Sequence, residues 1–251
     1  MDLGWVQGVE MLEIQDATVS EIAAGSLAAV RVFERLGIDY CCGGKRPLAD
    51  VCREKGHDLA SVESELESAM SAVTTSARNW NTAPLRELIE HIVGTHHEYR
   101  RRELSPLGAR LEKVYQVYNE RYGDTLIGLP DAFAGVRSEL EMHIRKEEAI
   151  LFPAIAGYEA ASIAGAPLPR ASFGSVSNPI RMMEAEHDSA GKALAEIRTI
   201  TADYAIPDYA CVTYRSLMAG LQELEQDLHM HIHLENNILF PRAIRLENSG
   251  R

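Results

Sequence analysis

Residues 143–153 read His-Ile-Arg-Lys-Glu-Glu-Ala-Ile-Leu-Phe-Pro, and residues 231–241 repeat them as His-Ile-His-Leu-Glu-Asn-Asn-Ile-Leu-Phe-Pro, with seven of eleven positions identical. In both copies a glutamate follows a histidine by four residues, His143 and Glu147 in one, His231 and Glu235 in the other. Residues i and i+4 of an α-helix lie on one face, a turn apart, so each copy aims an imidazole and a carboxylate at the same point. The prolines that close the copies, Pro153 and Pro241, are expected to end their helices. The repeat also extends upstream. Thr95-His96-His97-Glu98 sets His97 46 residues before His143, and Ala185-Glu186-His187-Asp188 sets His187 44 residues before His231. Each half is then a helix with a His-acid step followed by a helix with His-x-x-x-Glu. The pattern describes a duplicated helical hairpin whose halves frame one centre.

The rest of the chain fits an all-α fold. Four long helical patterns cover about 84–120, 130–157, 175–203 and 207–246, with Pro106 expected to kink or split the first. Stretches around 123–129 and 158–172 connect them, and no strand-type alternation competes. Residues 84–251 are therefore expected to form an antiparallel four-helix bundle. Residues 72–83, rich in small polar side chains, read as a linker. Residues 1–71 read as a small helical domain: Thr18-Val-Ser-Glu21 caps one short helix, a second spans 26–36 and is stopped by Gly37, Pro47 opens a third, and a fourth runs from Asp58 to about Met70. Between the second and third lies Asp39-Tyr-Cys-Cys-Gly-Gly-Lys45, where two glycines after Cys41 and Cys42 describe a tight backbone with thiols at or near a surface turn. The pair reads either as a small-residue turn with incidental thiols or as an exposed reactive pair for thiol exchange, metal or sulfur handling. Cys52 and Cys211 read as structural.

A formal net charge of -12 argues against a nucleic-acid or anionic-membrane partner. No apolar run is long enough to span a bilayer, and Met1 to Trp5 shows no basic segment leading an apolar one, so no secretory signal is expected. Four cysteines, two of them adjacent, do not make a disulfide framework and fit a reducing cytoplasm.

Helical phase tests which polar side chains face the bundle interior. With His231 at zero, Leu217, Leu221, Leu224, Leu228, Ile238 and Leu239 fall between about -20° and +80°, with Glu235 near +40°. His229 and His233 fall near ±160°, on the polar side. Relative to His143, Glu147 shares the window of Phe133, Val136, Leu140, Ile150 and Leu151, and Glu148 points outward near +140°. His187 shares a face with Ile180, Met183, Ala190 and Leu194. In the first helix Val93, Arg100, Leu104 and Tyr115 put the stripe between His96 and His97, so phase does not choose; the repeat chooses His97, which aligns with His187 before an acidic residue. Glu139 and Glu186 lie near the same face, where they read as supporting groups or proton relays. Tyr115 and Tyr118 read as core packing.

Four histidines and two glutamates thus converge on a bundle interior. Buried carboxylates need compensation, and two cations supply it. Four imidazoles and two carboxylates exceed one tetrahedral zinc, the absence of an inward thiolate disfavours iron–sulfur ligation, and four imidazoles do not suit calcium. Two iron ions, each with two histidines and both bridged by the glutamates, fit the set; manganese or mixed metals are alternatives.

These residues resemble the repair-of-iron-centres di-iron proteins, the YtfE/ScdA group. Asp39-Tyr-Cys-Cys-Gly-Gly-Lys45 is similar to the signature of that family's small N-terminal domain. His97, His143-x-x-x-Glu147, Glu186-His187-Asp188 and His231-x-x-x-Glu235-Asn-Asn are similar to its hemerythrin-like bundle. The resemblance covers most of the chain and implies His97, His143, Glu147, His187, His231 and Glu235 as ligands of a non-haem di-iron centre with oxo and carboxylate bridges. His96 beside His97 departs from the pattern and leaves two candidates for one position. The resemblance further implies a cytoplasmic protein that restores iron–sulfur clusters damaged by nitric oxide or oxidants, by releasing iron to them or by reducing nitric oxide to nitrous oxide. Its expected partners are damaged iron–sulfur proteins, nitric oxide or oxygen, and an electron donor not identified by the sequence. Cys41 and Cys42 would then serve in electron or metal transfer. The alternative reading is a hemerythrin-like module that binds or senses oxygen or nitric oxide without turnover.

Overall fold

The structure, a computed structural model, describes residue 14 and residues 17–71, 78–122 and 126–250. The extreme N-terminus, the core of the expected linker (72–77) and residues 123–125 of the first expected connection lie outside the described residues. The chain divides into two compact units, residues 1–81 and 82–251. Among the described residues there is no strand, only isolated bridges such as that between Thr18 and Pro47, and no helix is long and apolar enough to cross a membrane.

Among its described residues the first unit holds four helices: α1 (Val19–Gly25), α2 (Leu27–Arg35), α3 (Leu48–Lys55) and α4 (Leu59–Ser71). Thr18 and Glu21 form a reciprocal capping box that satisfies two of the donors orphaned at the start of α1. Pro47 caps α3 with its fixed φ, and Gly56 ends that helix in the left-handed region at φ 74. Val19, Val30, Phe33, Leu48 and Leu66 are fully buried and form the core.

The described residues of the second unit form four rods. The first is α5 (Leu85–Ile92), a π-helical turn (Val93–His97) and α6 (Glu98–Tyr122). The second is α7 (Leu129–Lys146), a π turn (Glu147–Leu151) and α8 (Phe152–Ile163). The third is α9 (Ser177–Ile200) alone, and the fourth is α10 (Val212–His233), a π turn (Leu234–Leu239) and α11 (Phe240–Ser249). α5 lies against α8 and α6 against α7 and α10, while α7 packs on α9; His143 with Glu186 and Glu139 with Ser189, and His187 with Asn236 and Arg198 with Glu225, pair in opposite chain directions. Consecutive rods are therefore antiparallel. Glu159 at the end of the second rod accepts from the N–H groups of Leu85 and Arg86, satisfying orphan donors of α5. Arg198 of α9 pairs with buried Glu225 of α10 and ties the third rod to the fourth.

Three sequence expectations are corrected here. Of the two outcomes expected at Pro106, a kink or a split, the split is absent; α6 continues through it to Tyr122. Pro153 and Pro241 do not stop their rods, which run on to Ile163 and Ser249. Each follows a π turn at the opening of a fresh α segment, where a missing N–H is tolerated. The connection expected at 158–172 accordingly begins only after Ile163.

Candidate metal centre

Three of the four rods leave α-helical geometry at the polar residues of the duplicated pattern. The first π turn closes on His97, the second opens on Glu147 and the third contains Glu235. A π turn is rare and costs favourable helix geometry, and such turns occur frequently at functional sites. Its wider i→i+5 spacing retards the helical phase of the residues beyond it. Ile150, which regular phase places inside, is consequently half exposed while Leu151 is buried, and Glu148 is turned from solvent toward the first rod.

The six side chains predicted as ligands meet in the bundle interior, all at 4 % exposure or less. Glu147 presents Oε2 to His97 Nε2 at 3.3 Å and Oε1 to His143 Nε2 at 3.0 Å. Glu235 presents Oε1 to His231 Nε2 at 3.0 Å and Oε2 to His187 Nε2 at 3.2 Å. The imidazoles also face each other in pairs, His97 with His231 at 3.4 Å and His143 with His187 at 3.0 Å between Nε2 atoms. Two four-ligand groups result, His97–Glu147–His231–Glu235 and His143–Glu147–His187–Glu235, each with one atom per residue within 4.8 Å of the others. Both carboxylates belong to both groups, one oxygen toward each.

A metal fits this arrangement on physical grounds. Both oxygens of Glu147 and both of Glu235 are fully buried and make no directed hydrogen bond to any described group. Such a pair costs several kcal/mol unless a cation compensates it. Burial opposes charge on both. For Glu147 the neighbouring His143 and His97 outweigh burial and hold its carboxyl low; for Glu235 burial, joined by the charge of Glu147, pushes it up. Burial also lowers His231, with Arg100 adding to the effect, and holds His187 down to about 4. Neutral imidazoles and carboxylates are the forms that ligate.

Every one of the four histidines is held at Nδ1 by a residue on the next rod around the bundle. His97 donates to Glu148 Oε1 at 2.7 Å, His143 to Glu186 Oε2 at 2.9 Å and His187 to Asn236 Oδ1 at 2.8 Å. The ring closes from the fourth rod to the first, where Arg100 Nη1 donates to His231 Nδ1 at 2.6 Å. Glu148 is in turn held by Arg101 and Glu186 by Lys146, both part-exposed.

His96 and His97 separate clearly. His97 is fully buried with Nε2 toward Glu147; His96 lies to the side, stacked on His231 and donating from Nδ1 to Asp227 Oδ1 at 2.6 Å. The phase between them that sequence left open is absorbed by the π turn that carries both.

Residues 15–70 match the ScdA_N family, described as a Domain of Unknown function (DUF542), and residues 88–243 match the Hemerythrin HHE cation binding domain. The iron-sulfur cluster repair protein YtfE of Pectobacterium carotovorum subsp. carotovorum is 36% identical over 233 residues, covering 93% of this chain and 99% of that protein. The chain belongs to the YtfE family. The YtfE of Dickeya chrysanthemi is 36% identical and that of Yersinia pseudotuberculosis 34%, each over 236 residues, 94% of this chain and all of the relative.

Both parts of a YtfE-type chain are thus present, and the remaining candidates can be placed. Glu186 accepts from His143 Nδ1. Glu139 does not share that place: it is exposed and accepts from Ser189 Oγ at 3.2 Å. Cys41 is buried rather than at the surface, and Cys42 is half buried, with 3.6 Å between the sulfurs. Asp39 folds this turn by accepting from the N–H groups of Cys41, Cys42 and Gly43. The hydrogen bond with Cys42 and burial push the Cys41 thiol well up, which opposes the reactive-pair reading for that sulfur. A Cβ on Gly44 would lie 2.6 Å from the Tyr40 carbonyl oxygen, so only glycine fits there. His233, expected on the polar side, is buried, pairs with Asn237 and is lowered to about 4 by desolvation, because the fourth rod is buried on every side over residues 231–235. Cys211 is exposed rather than structural, at the N-cap of α10.

Sequence reasoning missed Glu148, Asn236, Arg100 and Asp227. Two of these had a visible signal, since Glu148 follows Glu147 and Asn236 follows Glu235. Arg100 had another: it is an arginine on the apolar stripe of its helix.

Proposed function

We propose that the chain repairs iron–sulfur clusters damaged by nitrosative or oxidative stress, using two iron ions held by His97, His143, Glu147, His187, His231 and Glu235. The observation that carries this reading is the pair of buried glutamates, each offering one oxygen to each imidazole pair and neither making a directed hydrogen bond. A dinuclear cation centre accounts for that arrangement, and the all-nitrogen-and-oxygen donor set suits iron better than a thiophilic metal. The relatives' name, iron-sulfur cluster repair protein, supports damaged iron–sulfur proteins as clients, and the chain's cysteine usage fits a reducing cytoplasm.

The bound irons would supply either exchangeable ferrous ion or electrons. The protein's part is to hold four imidazoles with Nε2 inward, to exclude water from the glutamates and to carry protons. Two carboxylates suit the last task. Glu186 links His143 to Lys146, and Glu148 links His97 to Arg101, so each lies between a buried ring and a part-exposed cation. Those links favour nitric oxide reduction as a second activity, because two nitric oxide molecules consume two electrons and two protons to give nitrous oxide and water. An outside reductant must then restore the electrons.

The test loads the chain with ferrous iron without air. Two irons per chain, coupled in the Mössbauer spectrum, and reconstitution of an oxidatively damaged [4Fe–4S] protein are expected. One zinc per chain, or no gain in cluster content over a metal-free control, overturns the reading. Nitrous oxide analysis after mixing with nitric oxide decides the second activity separately.

A further inference from the structure

The two proposed metal positions share their carboxylates but not what stands behind their imidazoles. Behind the His143–His187 pair stand a carboxylate and an amide oxygen, Glu186 and Asn236, and both accept. Behind the His97–His231 pair stand a carboxylate and a guanidinium, Glu148 and Arg100. An arginine has donors and no acceptor. A neutral imidazole that gives its Nε2 lone pair to a metal carries its proton on Nδ1. For His231 that proton would point at Arg100 Nη1, which lies 2.6 Å from Nδ1. Facing an all-donor guanidinium, Nδ1 can only accept, the reverse of what ligation at Nε2 needs.

Charge acts in the same direction. Arg100 is fully buried, and its Nε and Nη2 make no hydrogen bond. Its one ion-pair partner among the described residues is Asp227, at 3.3 Å from Nη2, and Asp227 also accepts from His96. A cation bound at His231 Nε2 therefore has a second buried cation across one imidazole ring. Poorly screened like charges at such separations repel far more strongly than in water. The other position has no such neighbour: Lys146 is part-exposed and neutralised by Glu186.

We propose that Arg100 is a positioning residue that makes the His97–His231 position the exchangeable one, so that this iron is handed on while the His143–His187 iron stays. The inference rests on the iron-delivery reading and names which ion is delivered. The ion departs as ferrous iron with no change of oxidation state; the freed Nε2 of His231 takes up a proton as Nδ1 gives one up, and Nδ1 then accepts from Arg100 Nη1.

The experiment follows iron release from the anaerobically loaded full-length chain to a ferrous chelator. The native chain is expected to release one equivalent fast and one slowly. Arg100→Gln removes the cation and offers a carbonyl oxygen to His231 Nδ1–H; its fast phase should slow by about 10-fold, the scale of effect that partners of metal-bound histidines exert, with the slow phase unchanged. Arg100→Lys keeps an all-donor cation and should remain biphasic. His97→Ala should retain only the slow iron and His187→Ala only the fast one. Should Arg100→Gln leave Asp227 too poorly paired to fold, Arg100→Gln/Asp227→Asn removes both buried charges and makes the same prediction. A single phase of two equivalents from the native chain, or an unchanged fast phase in Arg100→Gln, overturns the proposal. So does loss of iron loading in both Gln variants, because the guanidinium would then strengthen the position. A damaged [4Fe–4S] protein in the same mixture separates the two readings: two unequal phases without cluster recovery sink delivery and leave the asymmetry standing.

Discussion

Glu148 reaches from the second rod to His97 of the first, Oε1 to Nδ1 at 2.7 Å, although ideal helical phase turns it toward solvent. The π turn that opens on Glu147 brings it round. The contact orients His97 so that Nε2 faces Glu147, and it makes the imidazole a stronger donor to a metal. Glu148→Ala should weaken metal binding by about 10–100-fold, and Glu148→Gln by less, since its amide oxygen still accepts. Chelator competition measures this, and unchanged helical circular dichroism distinguishes it from unfolding.

Glu235 is costly to the metal-free chain, because burial raises its carboxyl and neither oxygen has a directed partner. A carboxyl raised by folding contributes stability below its unfolded value, and that contribution is lost as pH rises through the folded one. At neutral pH Glu235→Gln should therefore raise the melting temperature of the metal-free protein by a few degrees. The same substitution should abolish the gain on adding iron, which for the native chain at a hundredfold excess over Kd is about 2.7 kcal/mol. A metal-free melting temperature that falls would show that Glu235 has a stabilising partner.

Gly44 sits against backbone, not against a movable side-chain tip, with Ser20 Cβ as the next neighbour at 3.0 Å. Gly44→Ala should destabilise the first unit by about 1–3 kcal/mol, the usual cost of overpacking. Gly25→Ala is the control, since a Cβ there meets nothing within 4 Å. Hydrogen exchange over α1 and α3 should rise in the first variant and not in the second.

Cys211 is lowered to about 7 by the Tyr118 hydroxyl and by N–H groups at the start of α10. The thiolate is the reactive form, so its alkylation rate should rise with pH through a midpoint near that value. Tyr118→Phe should move the midpoint upward. The buried Cys41 thiol, pushed well up, should lag behind at neutral pH.

Much of the bundle was legible because a buried helix face has a period. Ile180, Met183, Ala190 and Leu194 were placed on the His187 face by phase alone and are buried there or nearly so. Their rod is α9, the one without a π turn. Where π turns intervene, phase misled: Ile150 swings out and Glu148 in. The hydrogen bond that changes from i→i+4 to i→i+5 leaves no signature in residue type, apart from the prolines just after two of the turns.

The sequence by itself determined the all-α class, the duplicated hairpin and the six side chains that meet in the interior, because the period of the helix and the repeat of His-x-x-x-Glu are local properties of the chain. Tertiary structure alone decided that Glu148, Asn236 and Arg100 stand with Glu186 behind the four imidazoles, and that Glu139 does not. Those pairings join residues on different rods. Which atom an imidazole meets there depends on the phase and tilt of both rods at once, and helical periodicity within one rod carries no information about the other.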